Sequence, residues 1–290
     1  MAGKIPEKFR IAIIGGGAMG RAIINTLLAS GDLEPGAIIA SDPTDEQREA
    51  LSTRYGVEVT ADNVQAVKRA DLVVIAVKPQ VLPLVMAELK GSIPEGALIF
   101  SIVAGMPLRT MSKGFGHKAI IRAMPNTPAQ IGEGMTVWTA TPAVSDAQLE
   151  QAHVVLEAMG KDLYVEDEGE LDMATAVSGT GPTYVFLLME ALVDAAVHLG
   201  FSRRDARNLV LQTIYGSVLY AQQSEHHLAQ MRNRVTSPGG TSAEAIYQLE
   251  KGGMRTVLSK AVWAAYQKSR VLGDRAEDPL QAPLKVDSDG

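Results

Sequence analysis

Residues 11–20 read I-A-I-I-G-G-G-A-M-G, and no other stretch of the chain restricts its fold so strongly. The apolar residues Ile11 to Ile14 predict a buried strand, and a helical pattern follows through Ala29. Between them Gly15, Gly17 and Gly20 have the G-x-G-x-x-G spacing of a dinucleotide loop. Gly15 allows the tight turn, Gly17 lets the backbone approach a pyrophosphate, and Gly20 lets the helix pack on the strand. Ala18 and Met19 complete the loop, where the helix N-terminus offers free N–H groups and a favourable dipole to phosphate. A plain strand-turn-helix is the weaker reading, because the strand before and the helix after are both clean.

The rest of the chain has two kinds of pattern. Apolar runs at 37–40, 72–77, 98–102 and 119–124 predict further strands, with helical patterns such as 45–55 and 63–70 between them. Strands alternating with helices imply βαβ units, and hence a doubly wound parallel sheet of Rossmann type. From about Glu168 the strand signals stop, and 182–199, 203–222, 242–251 and 254–272 read as helices. Pro182 suits a first helical turn, Ser202 an N-cap, and Gly200 the end of the preceding helix. The expected organisation is a dinucleotide-binding domain over 1–166, an all-helical domain over 167–272, and a disordered tail over 273–290.

A doubly wound sheet binds its ligand beyond the carboxyl ends of the strands. The segments that fall there are Ser41-Asp42, Ala76-Val77-Lys78-Pro79, Ala104-Gly105 and the loop holding Asn126. Together with Asn63, at the head of the 63–70 helix, they make up the candidate cofactor contacts. Asp42 has two readings: it binds the ribose hydroxyls, or it caps the turn at Pro43 or the next helix. As the nearest arginine downstream is Arg48, the first reading tilts the cofactor toward NADH. Lys78 either approaches the phosphates or is simply solvated. Asn126 either contacts ligand through its amide or stabilises its own turn.

Two glycine-rich breaks precede helices in the second half, V-S-G-T-G-P at 177–182 and V-T-S-P-G-G-T-S at 235–242. Each directs backbone N–H groups and small hydroxyls at a helix N-terminus, where a carboxylate is stabilised. Helix connectors are the competing reading, but hydroxyls at four of the eight positions of the second exceed what a connector needs. A loop without lysine or arginine suits a small acid rather than a large polyanion.

Composition excludes several classes. The 290 residues carry a formal net charge of -6 with no block of lysine and arginine, which argues against a nucleic-acid partner. Cysteine is absent, removing disulfides, thiolate catalysis and cysteine-ligated metals. His117, His153, His198, His226 and His227 lack metal-ligand spacing, so no metal site is expected. No uninterrupted apolar run approaches the roughly 20 residues of a bilayer span. The N-terminal M-A-G-K-I-P-E-K-F-R lacks the apolar core of a secretory signal. The expectation is a cytoplasmic protein without a membrane partner.

Six motifs in order resemble those of the pyrroline-5-carboxylate reductase family. They are G-G-G-A-M-G, A-V-K-P (76–79), M-P-N-T-P (124–128), S-G-T-G-P (178–182), T-S-P-G-G-T-S-A-E-A-I (236–246) and L-E-K-G-G-M-R (249–255). The first is shared by many dehydrogenases, whereas the last two together are specific to the family. The resemblance spans about 10–272. It implies reduction of a small cyclic imino acid by hydride from NADPH or NADH, giving L-proline. It implies that Ser237, Gly239, Gly240 and Thr241 hold the substrate carboxylate, and that the Ser242 hydroxyl binds the ring nitrogen as the catalytic contact. The family pattern G-G-x-T places threonine where this chain has Ser242. Serine keeps the hydroxyl but positions it less stiffly. The resemblance also implies dimers formed by intertwined helices, assembled in some members into decamers. The apolar helical patterns at 184–197 and 257–271 fit an obligate homodimer or larger ring, with a compact monomer as the alternative.

Two rivals differ in recognisable ways. A β-hydroxyacid dehydrogenase shares the opening motif but needs a catalytic lysine in its second domain, and no lysine occurs between Glu168 and Leu249. A non-catalytic nucleotide sensor would keep the first loop and degrade the second. Here both loops are intact apart from the serine.

Overall fold

The computed structural model describes residues 9–31 and 33–277. Eight strands form one sheet: β1 (Ile11–Ile14), β2 (Ile38–Ser41), β3 (Glu58–Thr60), β4 (Leu72–Ile75), β5 (Leu98–Ser101), β6 (Ile120–Met124), β7 (Gly134–Ala140) and β8 (Gly160–Tyr164). Their order is β3-β2-β1-β4-β5-β6-β7-β8, so the connections reverse direction between β1 and β4. That is the switch point at which a Rossmann sheet opens its ligand crevice.

Side-chain alternation along each strand divides the core between the two faces. Ile11 and Ile13 pack with α1 (Ala18–Ala29), α2 (Asp45–Tyr55) and α6 (Asp146–Met159) through Ile23, Ile24, Leu27, Leu51, Val155 and Leu156. Ala12 and Ile14 face the other way, against α3 (Asn63–Val67), α4 (Leu82–Leu89) and α5 (Leu108–Phe115). All four β1 residues are buried, as a strand covered on both faces requires.

The sheet is not wholly parallel. β7 pairs antiparallel with β6, and β8 then pairs parallel with β7, so the last two strands oppose the first six. The connections explain this. Only a short 3-10 turn (Thr127–Ile131) links β6 to β7, too little chain for a parallel crossover, whereas α6 spans β7 to β8 and provides one. Sequence patterning missed β3, β7 and β8. β3 and β8 are edge strands with no continuous apolar run, and β7 interleaves threonine with its apolar residues.

α7 (Glu170–Ala174) follows β8 and passes into a π-helical turn, Thr175–Gly179, ahead of α8 (Gly181–His198). Then come α9 (Arg203–Gln222), α10 (Leu228–Arg234), α11 (Thr241–Lys251) and α12 (Met254–Glu277). Ser202 caps α9, its side chain accepting from the Asp205 N–H, and Gly200 ends α8 at φ 110°. α12 continues through 273–277, where a tail was expected, and positions 278–290 lie outside the described residues. The chain divides into two compact units, one taking the residues up to Thr180 and again from Ala265, the other Gly181–Ala264.

The second unit buries little of its own apolar surface. Phe186, Leu187, Val218, Val257 and Trp263 are all more than half exposed, and α8 has no buried residue. An 18-residue window within the helical run Glu170–His198 has a mean hydropathy of 1.3, which meets the length and composition of a membrane span and nothing more. Its uninterrupted apolar runs are all short, as the sequence reads. Polar residues such as Thr180 and Thr183 break those runs without lowering the average much.

Candidate active site

The carboxyl ends of β1, β2 and β4 lie side by side and converge on the glycine loop. Gly15, at φ 107°, donates its N–H to the Ser41 carbonyl at 2.8 Å. A Cβ there would lie 2.8 Å from the Ala76 carbonyl oxygen and 3.1 Å from a Val77 methyl, so the loop holds the A-V-K-P segment in close contact. At Gly20 an added Cβ would collide with the Gly15 carbonyl oxygen, which is how closely α1 approaches the turn. Gly17 is different: nothing lies within 4 Å of the place a Cβ would take. It forms the N-cap of α1 without a side-chain cap, so the N-terminus with Ala18 and Met19 stays open to an anion.

At the end of β2, Asp42 is almost fully buried and holds the turn, as one of its two readings expected. Its Oδ2 accepts from the Gly16 N–H and its Oδ1 from the Thr44 N–H, both at 2.9 Å. The Arg48 guanidinium is folded back, donating to the Asp42 carbonyl at 2.6 Å and pairing with Asp45. Ser41 donates its hydroxyl to Asn63 Oδ1 at 2.7 Å, tying β2 to the head of α3. Asn63 in turn donates from Nδ2 to Glu88 on α4, also at 2.7 Å. Patterning gave no hint of Glu88, because 25 residues separate it from Asn63 and only packing joins them.

The later segments have mixed roles. Lys78 and Pro79 are exposed after β4. Ala104 and Gly105 follow β5, and Gly105 at φ 69° lies against Leu272 of α12. Asn126 has its amide engaged by protein. Its Oδ1 accepts from the Met135 N–H at 2.9 Å, and its Nδ2 reaches the Ser178 hydroxyl at 3.3 Å. It thus ties the M-P-N-T-P loop to the π-helical turn of the S-G-T-G-P motif. Beside these loops, buried Arg122 of β6 donates to Glu168 at 2.6 Å, and Glu168 also accepts from the Leu108 N–H at 2.8 Å.

In the second unit, the 235–242 break forms a tight turn in which the Gly240 N–H donates to the Ser237 carbonyl at 3.1 Å. Gly239 takes φ 66°, and at Gly240 a Cβ would strike the Ser237 hydroxyl. Gly240 is the N-cap of α11 and supplies no side-chain cap. The helix therefore opens on the N–H groups and hydroxyls of Thr241 and Ser242, with Ser237 on the adjoining turn. This is a small uncharged cradle of the kind that binds a carboxylate through amides.

A Rossmann crevice with an uncapped helix N-terminus at its switch point, joined to a helical second domain, defines an oxidoreductase of the dinucleotide-dependent class. Two families match: NADP oxidoreductase coenzyme F420-dependent over residues 10–105, and pyrroline-5-carboxylate reductase dimerisation over residues 168–272. The pyrroline-5-carboxylate reductase of Synechocystis sp. is 42% identical over 92% of this chain and 99% of its own length. That of Pseudomonas aeruginosa is 41% identical over 92% and 97%. The crystal structure of the Plasmodium falciparum pyrroline carboxylate reductase with NADP bound superposes with a TM-score of 0.85 at 30% identity, covering 92% of this chain and 99% of that one. The chain belongs to the pyrroline-5-carboxylate reductase family.

Proposed function

We propose that this protein reduces 1-pyrroline-5-carboxylate to L-proline with NADPH or NADH, the last step of proline biosynthesis. The observation that carries the reading is the pairing of two uncapped helix N-termini with family membership over nearly the whole chain. One, at Gly17, suits the dinucleotide pyrophosphate, and the other, at Gly240, suits the substrate carboxylate. The crevice fits the cofactor, since the space over Gly17 is open and the N-terminus of α1 has no side-chain cap. When bound, NAD(P)H supplies the hydride.

The chain's own part is binding and orientation. The Gly15, Gly17 and Gly20 loop, with Ala18 and Met19, holds the pyrophosphate. Ser41, Asp42 and Asn63 frame the ribose, while Ala76 to Pro79, Ala104, Gly105 and Asn126 shape the remaining wall. Ser237, Gly239, Gly240 and Thr241 hold the substrate carboxylate through amides and hydroxyls. The Ser242 hydroxyl hydrogen-bonds the ring nitrogen and fixes the imine carbon for hydride attack. A protonated imine is already electrophilic, so a strong protein acid is unnecessary and positioning supplies most of the acceleration. The added hydride and the proton already on nitrogen together complete the secondary amine of proline.

The exposed faces of α8, α9 and α12 fit a homodimer in which a second copy, rather than lipid, covers the apolar side chains. Dimers of this kind can assemble further into a decamer. Matching of the helical domain to a dimerisation family supports this reading. A cytoplasmic location, without nucleic-acid or membrane partners, accords with the acidic charge and the metabolic reaction.

The test is steady-state oxidation of NADH and of NADPH with pyrroline-5-carboxylate, on wild type and Ser242→Ala. Loss of one charge-assisted hydrogen bond in the transition state should lower turnover by roughly 10- to 100-fold, about 1.5–3 kcal/mol. An absence of turnover with either cofactor, despite binding of one, would refute the assignment.

A further inference from the structure

Arg122, Glu168, Asp172 and Arg270 line a cavity of about 200 Å³ in the first unit. Sites for drug-sized ligands run to roughly 300–1,000 Å³, so only a small occupant fits. Its four charged groups are only partly satisfied. The Arg122 side chain is 8% exposed, yet among the described residues a single one of its five N–H donors is engaged, by Glu168 Oε1 at 2.6 Å. Glu168 Oε1 also accepts from the Leu108 N–H, which leaves Oε2 unbonded. Asp172 accepts from the buried Ser269 hydroxyl through Oδ1 at 2.6 Å, which leaves Oδ2. Arg270 has no carboxylate partner among the described residues, and its guanidinium lies over the Tyr266 ring, 5.9 Å from the centroid. Spare acceptors and spare donors thus border one small space. A lone anion would satisfy the guanidiniums and be repelled by the carboxylates, and a lone cation the reverse. A small molecule that carries both charges satisfies both sets.

We infer that this cavity binds a free α-amino acid in its zwitterionic form. The carboxylate lies on Arg270, whose planar fork receives it bidentately, with the spare Arg122 donors beside it. The ammonium donates to Asp172 Oδ2 and Glu168 Oε2. Ser269 holds the Asp172 carboxylate in place for that contact. The site shares no residue with the carboxylate cradle at 237–242, so it does not depend on the reductase reading. It is joined to the proposed cofactor wall through the backbone. Pro107, which lines the cavity, stands two residues after Gly105, and Gly273, which also lines it, follows the Leu272 that packs on Gly105.

The experiment is calorimetry of the full chain with L-alanine, L-serine and L-glutamine, and with propionate and ethylamine as the two halves of alanine. L-Proline is left out, because the proposed reaction forms it and the reductase site would bind it. At least one amino acid should bind with a millimolar or lower dissociation constant. Propionate and ethylamine should each bind at least about tenfold more weakly than that amino acid, since each leaves one set of groups unpaired. Arg270→Gln and Asp172→Asn should each weaken amino-acid binding by about ten- to a hundredfold, the scale of one hydrogen bond between charged groups. Asn keeps an acceptor for Ser269, and circular dichroism checks that both variants fold. Ser242→Ala should bind the amino acid as wild type does. Four results would each overturn the inference: no binding of any of the three amino acids, propionate binding as tightly as they do, undiminished binding in both folded variants, or loss of binding in Ser242→Ala. Turnover of the imine is measured separately, so failure of the reductase reading and failure of this one are distinguishable.

Discussion

Replacing Glu168 by alanine would strike a point where three segments meet. Its Oε1 accepts from Arg122 Nη1 at 2.6 Å and from the Leu108 N–H, which opens α5, at 2.8 Å. The Arg122 side chain is only 8% exposed and that of Glu168 31%. Breaking a fully buried ion pair by removing one partner costs about 3–5 kcal/mol, because the other charge is stranded. Glu168 lies partly in solvent, so water can enter and reduce this to about 2–3 kcal/mol. The Leu108 N–H loses its acceptor for about 1 kcal/mol more. The total of about 3–4 kcal/mol corresponds to a fall in Tm of about 6–16 °C for a domain of this size. Urea and thermal unfolding of the full chain, followed by circular dichroism, would measure it. The double variant Arg122→Met with Glu168→Leu should recover much of the loss, since an apolar pair leaves no stranded charge. A cost below about 1 kcal/mol for Glu168→Ala, as for a surface pair, would refute the reasoning.

Two other perturbations separate local packing from assembly. Gly20→Ala drives a Cβ into the Gly15 carbonyl oxygen and should weaken dinucleotide binding more than tenfold, with a stability cost of about 1–3 kcal/mol; undiminished affinity by calorimetry would contradict the close approach. If α8 forms the proposed homodimer interface, Phe186→Glu on its exposed face should yield monomer in light scattering. A variant that remains dimeric at wild-type stability would mean that another face is used.

The legible parts of the molecule are those governed by local periodicity. β1, β2, β4, β5 and β6 have short apolar runs that only a sheet covered on both faces accommodates, and they were placed to within a residue or two of their ends. The cap at Ser202 and the turn at Gly200 were readable for the same reason, since each depends on its own backbone. β3 and β8 were not readable, because edge strands bury too little to need an apolar pattern. The reversal at β7 follows from the length of a connection, and periodicity does not report direction.

For the site, the sequence determined the glycine loop, the two hydroxyl-rich breaks and the family, because each depends on residue type at fixed spacing. Tertiary structure alone decided how the side chains are used. It turned Asp42 inward to hold Gly16 and Thr44, engaged Asn126 with Met135 and Ser178, and brought Glu88 to Asn63. It also left the helices of the second unit with their apolar faces uncovered. Hydrogen bonds between distant segments form only where the packed backbone brings donor to acceptor, and linear spacing carries no record of that meeting.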